Sequence, residues 1–282
     1  MNGLINLYKP SGISSAAAVG KVRRILGEKK VGHMGTLDPM AEGVLVLGVG
    51  KSTRLFDYLA GKRKSYIAKF KFGYETDTLD KLGTTVSKTD DIPSVDTVLN
   101  AALSLVGKQR QIPPVFSAKH VDGQRAYKLA RSGAEVSVKP VDIEIFGVEL
   151  LFQPRMDEFV FSIDCSAGTY IRSICRDVAH LTGSLATLEY LQRTSSGNFK
   201  VSDSVSLENL DLLKGGAVIA PQNIIDIPRY DVPDRFKSDL DNGKKIECDV
   251  KEKSLIFCGG VFYGIGNSVG GALKITTYLK DD

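Results

Sequence analysis

The segment Val31-Gly32-His33-Met34-Gly35-Thr36-Leu37-Asp38-Pro39-Met40-Ala41-Glu42-Gly43 constrains this chain most, because it runs unbroken into the apolar stretch Val44 to Val49. A stretch of that kind reads as a strand buried on both faces. The three glycines of the loop allow close backbone approach to a ligand and unusual dihedrals. Pro39 biases Asp38 toward an extended conformation, so the loop presents a carboxylate from a rigid mount. Two readings of Asp38 stand at this point: a reactive group, or a side chain that merely closes an Asx-turn.

The flanking sequence surrounds this loop with sheet and helix. Residues 1–8 read as a short strand ending at the turn Lys9-Pro10-Ser11-Gly12. Ser14 or Ser15 caps the next helix, Ala18, Val22, Ile25 and Leu26 form its buried stripe, and Gly27 ends it. Tyr66, Ala68, Phe70 and Phe72 alternate with Lys69 and Lys71, the pattern of a half-buried strand. A helix is expected over 94–106, a strand over 158–165, and a helix over about 170–181 with Ile171, Ile174, Val178 and Leu181 inward. Ile112 to Gly133 opens on a double proline and reads as a basic excursion from the sheet, with a helix near 124–132. Ile224 to Pro233 reads as a linker, and the glycine-rich remainder as a small β domain. The expected class is α/β of the α+β type: a central mixed or antiparallel sheet flanked by helices.

Charge divides the chain unevenly. Residues 1–64 carry 11 Lys+Arg against 4 Asp+Glu, and residues 105–140 carry 7 against 2, while the other stretches are net negative. Two basic segments on an otherwise acidic chain point to a polyanion-binding face. Cys165, Cys175, Cys248 and Cys258 contain no C-x-x-C pair and lie far in sequence from His33, His120 and His180, so reduced thiols are expected rather than a zinc site. The run Gly48-Val49-Gly50-Lys51-Ser52 lacks the first glycine of a phosphate-binding P-loop, because position 45 is Leu45. Glu75, Asp77 and Asp80 suit a polar strand end better than a Mg²⁺ site. No run approaches the ~18 apolar residues of a membrane span, and the N-terminus lacks a signal-peptide pattern, so a cytoplasmic protein is expected.

Two further residues stand out. Arg172 sits in the first turn of a helix, where the helix dipole disfavours a cation; it faces either solvent or an anionic partner. Tyr66 is either a core tyrosine or an aromatic platform for a base.

In this order the motifs resemble the TruB family, the bacterial tRNA pseudouridine-55 synthases. Lys9-Pro10-Ser11-Gly12, Gly32 to Pro39, Lys64-Ser65-Tyr66, Ile112 to Ala118 with Ala126 to Arg131, and Gly168-Thr169-Tyr170-Ile171-Arg172 carry the resemblance, from residue 3 to about 200. Met34 and Glu42 depart from the usual residues of the family. The resemblance implies a pseudouridine synthase catalytic domain over 1–226, a thumb-like RNA-binding insertion over about 108–140, and a PUA-like RNA-binding domain over 229–282. It implies isomerisation of uridine 55 in the tRNA T loop, without cofactor or metal, by a monomer that needs no obligate protein partner. Asp38 would be the nucleophile, Tyr66 would pack on the base, and Arg172 would pair with Asp38. His33 would help fill the space the uridine leaves, and Leu191 would line the pocket. Lys9, Lys64, Lys119, Arg125 and Arg131 would contact RNA. The alternatives are a non-catalytic RNA binder or tRNA-folding chaperone, a guide-RNA-dependent synthase subunit, and metal-dependent phosphate-ester chemistry at the acidic cluster.

Overall fold

The computed structural model describes residues 1–59, 61–116, 120–121, 124–125, 138–248 and 250–281, with the side chains of 120–121 and 124–125 left aside. The chain opens with strand β1 (Gly3–Lys9) and helix α1 (Ser15–Leu26). Ser14 caps α1 by accepting from the Ala17 amide, and Gly27 ends it in the left-handed conformation at φ 63°. Strands β2 (Val31–His33) and β3 (Glu42–Val49) follow, then the short helix α2 (Phe56–Leu59) and β4 (Lys64–Phe72). Next come β5 (Tyr74–Thr76), β6 (Thr85–Lys88), helix α3 (Val95–Ser104), β7 (Gly107–Gln111), and the strand pair β8 (His120–Val121) and β9 (Gln124–Arg125). The long strand β10 (Val141–Arg155) pairs with β11 (Glu158–Cys165). Helix α4 (Ile171–Leu181), β12 (Ala186–Ser196), β13 (Phe199–Lys200) and α5 (Leu207–Leu213) complete this part of the chain.

Among the described residues, nine strands form the central sheet in the order β1-β3-β12-β4-β11-β10-β7, with β2 added to β3 and β13 to β12. Every pairing is antiparallel except β3 with β12, where Gln192 faces Glu42 and Arg193 faces Gly43. That parallel junction lies where the glycine loop enters the sheet. A Cβ at Gly43 would meet the Arg193 carbonyl oxygen at 2.3 Å, and φ there is +100°. Only glycine fits both the contact and the dihedral.

One sheet face packs on the helices. Ile5, Leu7, Leu45, Leu47, Ala68, Phe70 and Phe72 meet Ala18, Val22, Val98, Ile174 and Val178 in a single core. The other face of β1 and β3 presents Leu4, Val44 and Val46 to Leu255, Phe257, Ile265 and Leu279 near the C-terminus. That C-terminal part is a second sheet, β14 (Arg229–Val232), β15 (Ser254–Cys258), β16 (Val261–Val269) and β17 (Ala272–Tyr278), joined by helix α6 (Lys237–Asp241). Among the described residues, no helix is long and apolar enough to cross a membrane.

Three local expectations need correction. Leu181 is 58% exposed, although it continues the helical period of Ile171, Ile174 and Val178. The linker expected over 224–233 is built into the structure. Ile225 is buried, and β14 pairs in parallel with β15. The helix expected near 124–132 begins instead as strand at Gln124–Arg125, paired with His120–Val121; residues 126–132 lie outside the described residues.

Candidate active site

The glycine loop is pinned on both sides of Asp38. The Ser15 hydroxyl donates to the Leu37 carbonyl at 2.8 Å and accepts from the Leu37 amide at 2.9 Å. Beyond Asp38, the Gly12 amide donates to Pro39 O at 2.9 Å and the Ser11 hydroxyl to Met40 O at 2.8 Å. The turn is closed by the backbone, Ala41 N–H to Asp38 O at 3.1 Å. The Asp38 carboxylate is directed at Arg172 rather than at the backbone of the turn. Arg172 Nη2 donates to Oδ1 at 3.1 Å, and Nε lies 2.9 Å from Oδ2.

Arg172 is buried, so the solvent-facing reading falls. Its Nη1 donates to the carbonyls of Thr78 at 2.9 Å and Phe116 at 3.1 Å and lies 3.6 Å from Asp80 Oδ2. Two carboxylates and two carbonyls offset its unfavourable place at the start of α4. The helix start is held in turn by β7. Gln111 accepts from the Tyr170 amide at 2.8 Å and donates to the Tyr170 carbonyl at 3.1 Å. Leu79, at φ 61°, kinks the loop that carries Thr78 and Asp80. Asp80 also accepts from the Leu82 amide, and Asp77 from the Thr84 amide.

Asp38, Arg172, Tyr66, Leu191, Lys64 and Arg193 share one cavity of about 310 Å³. That is the small end of the range for ligand pockets. Tyr66 and Leu191 are buried on neighbouring strands of the floor. Burial pushes the Tyr66 hydroxyl up to about 12, while the positive charge of Arg193 pulls the other way. Lys64 is 7% exposed, and burial, with Arg193 close by, lowers its ammonium to about 8.

Arg193 is absent from the sequence expectations. It is 2% exposed, and it donates through Nε to Val44 O at 2.7 Å, Nη1 to Thr36 O at 3.1 Å and Nη2 to Gly35 O at 3.2 Å. It ties the start of the loop to the strand that follows it. Its signal was its position, two residues beyond Leu191 on one strand face.

The other expected site residues lie elsewhere. Lys9 is 0% exposed and donates to the carbonyls of Pro10 at 2.8 Å, Ile13 at 2.7 Å and Pro39 at 3.4 Å. The expected RNA contact is therefore corrected: an enclosed ammonium, lowered to about 8 by burial, braces the loop from beneath. His33 sits on β2 opposite Leu47, outside the residues that line the cavity. The backbone of Arg125 lies in β9; its side chain, Lys119 and Arg131 lie outside the described residues.

A family model described as the N-terminal domain of TruB family pseudouridylate synthase matches residues 23–171. A tRNA pseudouridine synthase B of Thermosipho melanesiensis is 41% identical over 89% of this chain and 83% of that protein. The chain belongs to the TruB family of pseudouridylate synthases. A second TruB family relative, the tRNA pseudouridine synthase B of Clostridium tetani, is 39% identical over 99% of this chain and all of that protein (100%). The TruB fold extends further. A chain in the crystal structure of a Cbf5-Nop10-Gar1 complex superposes with a TM-score of 0.71 over 98% of this chain and 84% of that one, at 22% identity.

Proposed function

We propose that this pseudouridine synthase isomerises uridine 55 in the T loop of tRNA, in the cytoplasm and as a monomer, with Asp38 as nucleophile. The observation that carries the reading is the two-point contact between Asp38 and the buried Arg172, set beside Tyr66 in a cavity large enough for one flipped nucleoside. The names of the relatives supply the tRNA substrate.

A uridine inside a folded loop is unreachable until it is everted, at a cost of roughly a few kcal/mol. Tyr66 and Leu191 pack against the everted base. His33, outside the cavity, helps fill the gap left in the RNA. The C1′–N1 bond breaks, the uracil turns, and C5 bonds to C1′; one proton moves from C5 to N1 overall. Asp38 attacks as a carboxylate, and Arg172 fixes which oxygen faces the sugar. The basic insertion, including Lys119, Arg125 and Arg131, grips the RNA backbone, and the C-terminal sheet adds a PUA-like contact. The catalytic unit spans 1–226, the insertion about 108–140 and the second domain 229–282.

The test is incubation of unmodified tRNA transcript with the purified protein, followed by carbodiimide and primer-extension mapping. A single new stop at position 55, without any added guide RNA, is the expected outcome. Modification elsewhere, or only with a guide, overturns the assignment.

A further inference from the structure

Among the described residues, Arg172 is held by acceptors from three segments: Asp38 in the glycine loop, Thr78 and Asp80 between β5 and β6, and Phe116 in the basic insertion. The Phe116 carbonyl, 3.1 Å from Nη1, brings that insertion to the guanidinium. The connection is stiff. β7 ends at Gln111, and Ile112-Pro113-Pro114 follows. Each proline fixes its own φ and restricts the residue before it to extended backbone. Pro113 and Pro114 are also buried. A displacement of the insertion is therefore passed along this stem rather than absorbed in it. The stem is also fastened to the first turns of α4. Gln111 is 2% exposed, and its amide holds both the N–H and the carbonyl of Tyr170, just ahead of Arg172. The next carbonyl, Ile112 O, accepts from the Ser173 hydroxyl at 2.8 Å and from Arg176 Nη2 at 3.2 Å. One end of the stem grips the backbone that carries Arg172, and the other end meets its guanidinium.

Taking the proposed reaction as its basis, we infer that Gln111 is a positioning residue that joins the RNA-gripping insertion to the start of α4, so that RNA held by the insertion sets Arg172 against Asp38. Gln111 is not among the residues that line the cavity and touches no reacting atom. It acts through Arg172. A two-point contact between a guanidinium and a carboxylate depends on orientation as well as distance, and the start of a helix is a poor place for a cation unless its partners stay in line. Three of the hydrogen bonds that fix the start of α4 come from Gln111 and the carbonyl that follows it. Removing the Gln111 amide loosens the helix start at the residue from which Arg172 is aimed, while Asp38 and its loop keep their own supports. A small misplacement of a catalytic group costs rate rather than affinity.

The test is a double-mutant cycle read by single-turnover isomerisation of T stem-loop RNA with the protein in saturating excess. Gln111→Met keeps the length of the side chain and loses both hydrogen bonds. It is expected to slow the step ~10-fold, with RNA affinity and reaction amplitude unchanged. Placed on Arg172→Lys, the same substitution should add less than ~2-fold, because the group it acts through is already altered. A full defect in that background overturns the role. So does a lost amplitude at an unchanged rate, the mark of a damaged fold, or a defect confined to affinity. Gln111→Glu supplies a second arm and decides alone if Gln111→Met does not fold. Its protonated carboxyl can accept from the Tyr170 N–H and donate to the Tyr170 carbonyl, whereas the ionised form can only accept. Its rate relative to the unaltered protein should therefore fall as pH rises through the titration of that carboxyl; a flat ratio overturns the role. Failure of the unaltered protein on uridine RNA would remove the underlying reaction itself, a result distinct from these.

Discussion

Arg172 and Arg193 line one cavity, and their surroundings are unlike. Arg172 comes from the first turn of α4 and lies between the carboxylates of Asp38 and Asp80. Arg193 comes from the middle of the sheet and holds the carbonyls of Gly35, Thr36 and Val44. The helical wall is compensated by carboxylates and fixes the direction of the Asp38 side chain. Arg193 on the sheet floor instead braces the loop through backbone carbonyls.

The largest effect is expected from Asp38→Asn, which removes the proposed nucleophile and preserves shape. Isomerisation, followed by tritium release from C5-labelled RNA, should fall by ~10³-fold or more while RNA affinity holds. Normal turnover would break the comparison at its root. Arg172→Lys should cost ~100-fold in single-turnover rate. A point charge cannot face Asp38, Thr78 O and Phe116 O together. Asp80→Asn should cost only ~10-fold, on the order of one weakened charge contact, because Asp38 still holds the guanidinium. A loss equal to that of Arg172→Lys would mean that both carboxylates are needed to compensate the wall.

Lys9→Met sharpens the comparison from below the loop. It removes the side-chain donor to the Pro10 and Ile13 carbonyls, while Pro39 O keeps the Gly12 amide, so urea denaturation should show a stability loss of ~1–3 kcal/mol with RNA affinity unchanged. Weakened RNA binding at equal stability would restore Lys9 as a contact. The smallest effect is on pH dependence. Lys9 and Lys64 titrate at about 8 in the folded chain against 10.5 for an ordinary lysine. Between those values the unfolded chain binds more protons, so their contribution to stability rises with pH from about 8 and levels off near 10.5. Denaturation midpoints for the unaltered protein and Lys9→Met across that window would measure it; identical slopes would remove Lys9 from the account.

Local pattern made much of this legible. The alternation of Tyr66, Ala68, Phe70 and Phe72 named a strand and its buried face, and both are found. Ser14 and Gly27 marked the ends of α1. Other residues gave no such signal. Lys9 sat in a polar turn motif, and nothing in its neighbours foretold an ammonium at 0% exposure. Asp80 read as part of a polar strand end, yet it faces Arg172. Leu181 matched the helical period but is exposed, because periodicity names a face and not its cover.

By itself the chain determined β1, β3, β4 and β11, the caps of α1, the projecting Asp38 and the order of motifs that place it in the TruB family. Backbone geometry repeats every two or 3.6 residues, so those features are written locally. Tertiary structure alone decided which charges meet. Asp38 and Arg172 are 134 residues apart in the chain, and Arg193 meets the carbonyls of Gly35, Thr36 and Val44 from about 150 residues further on. Such meetings follow from how distant segments close on one another and from how much water they expel, neither of which a local pattern records.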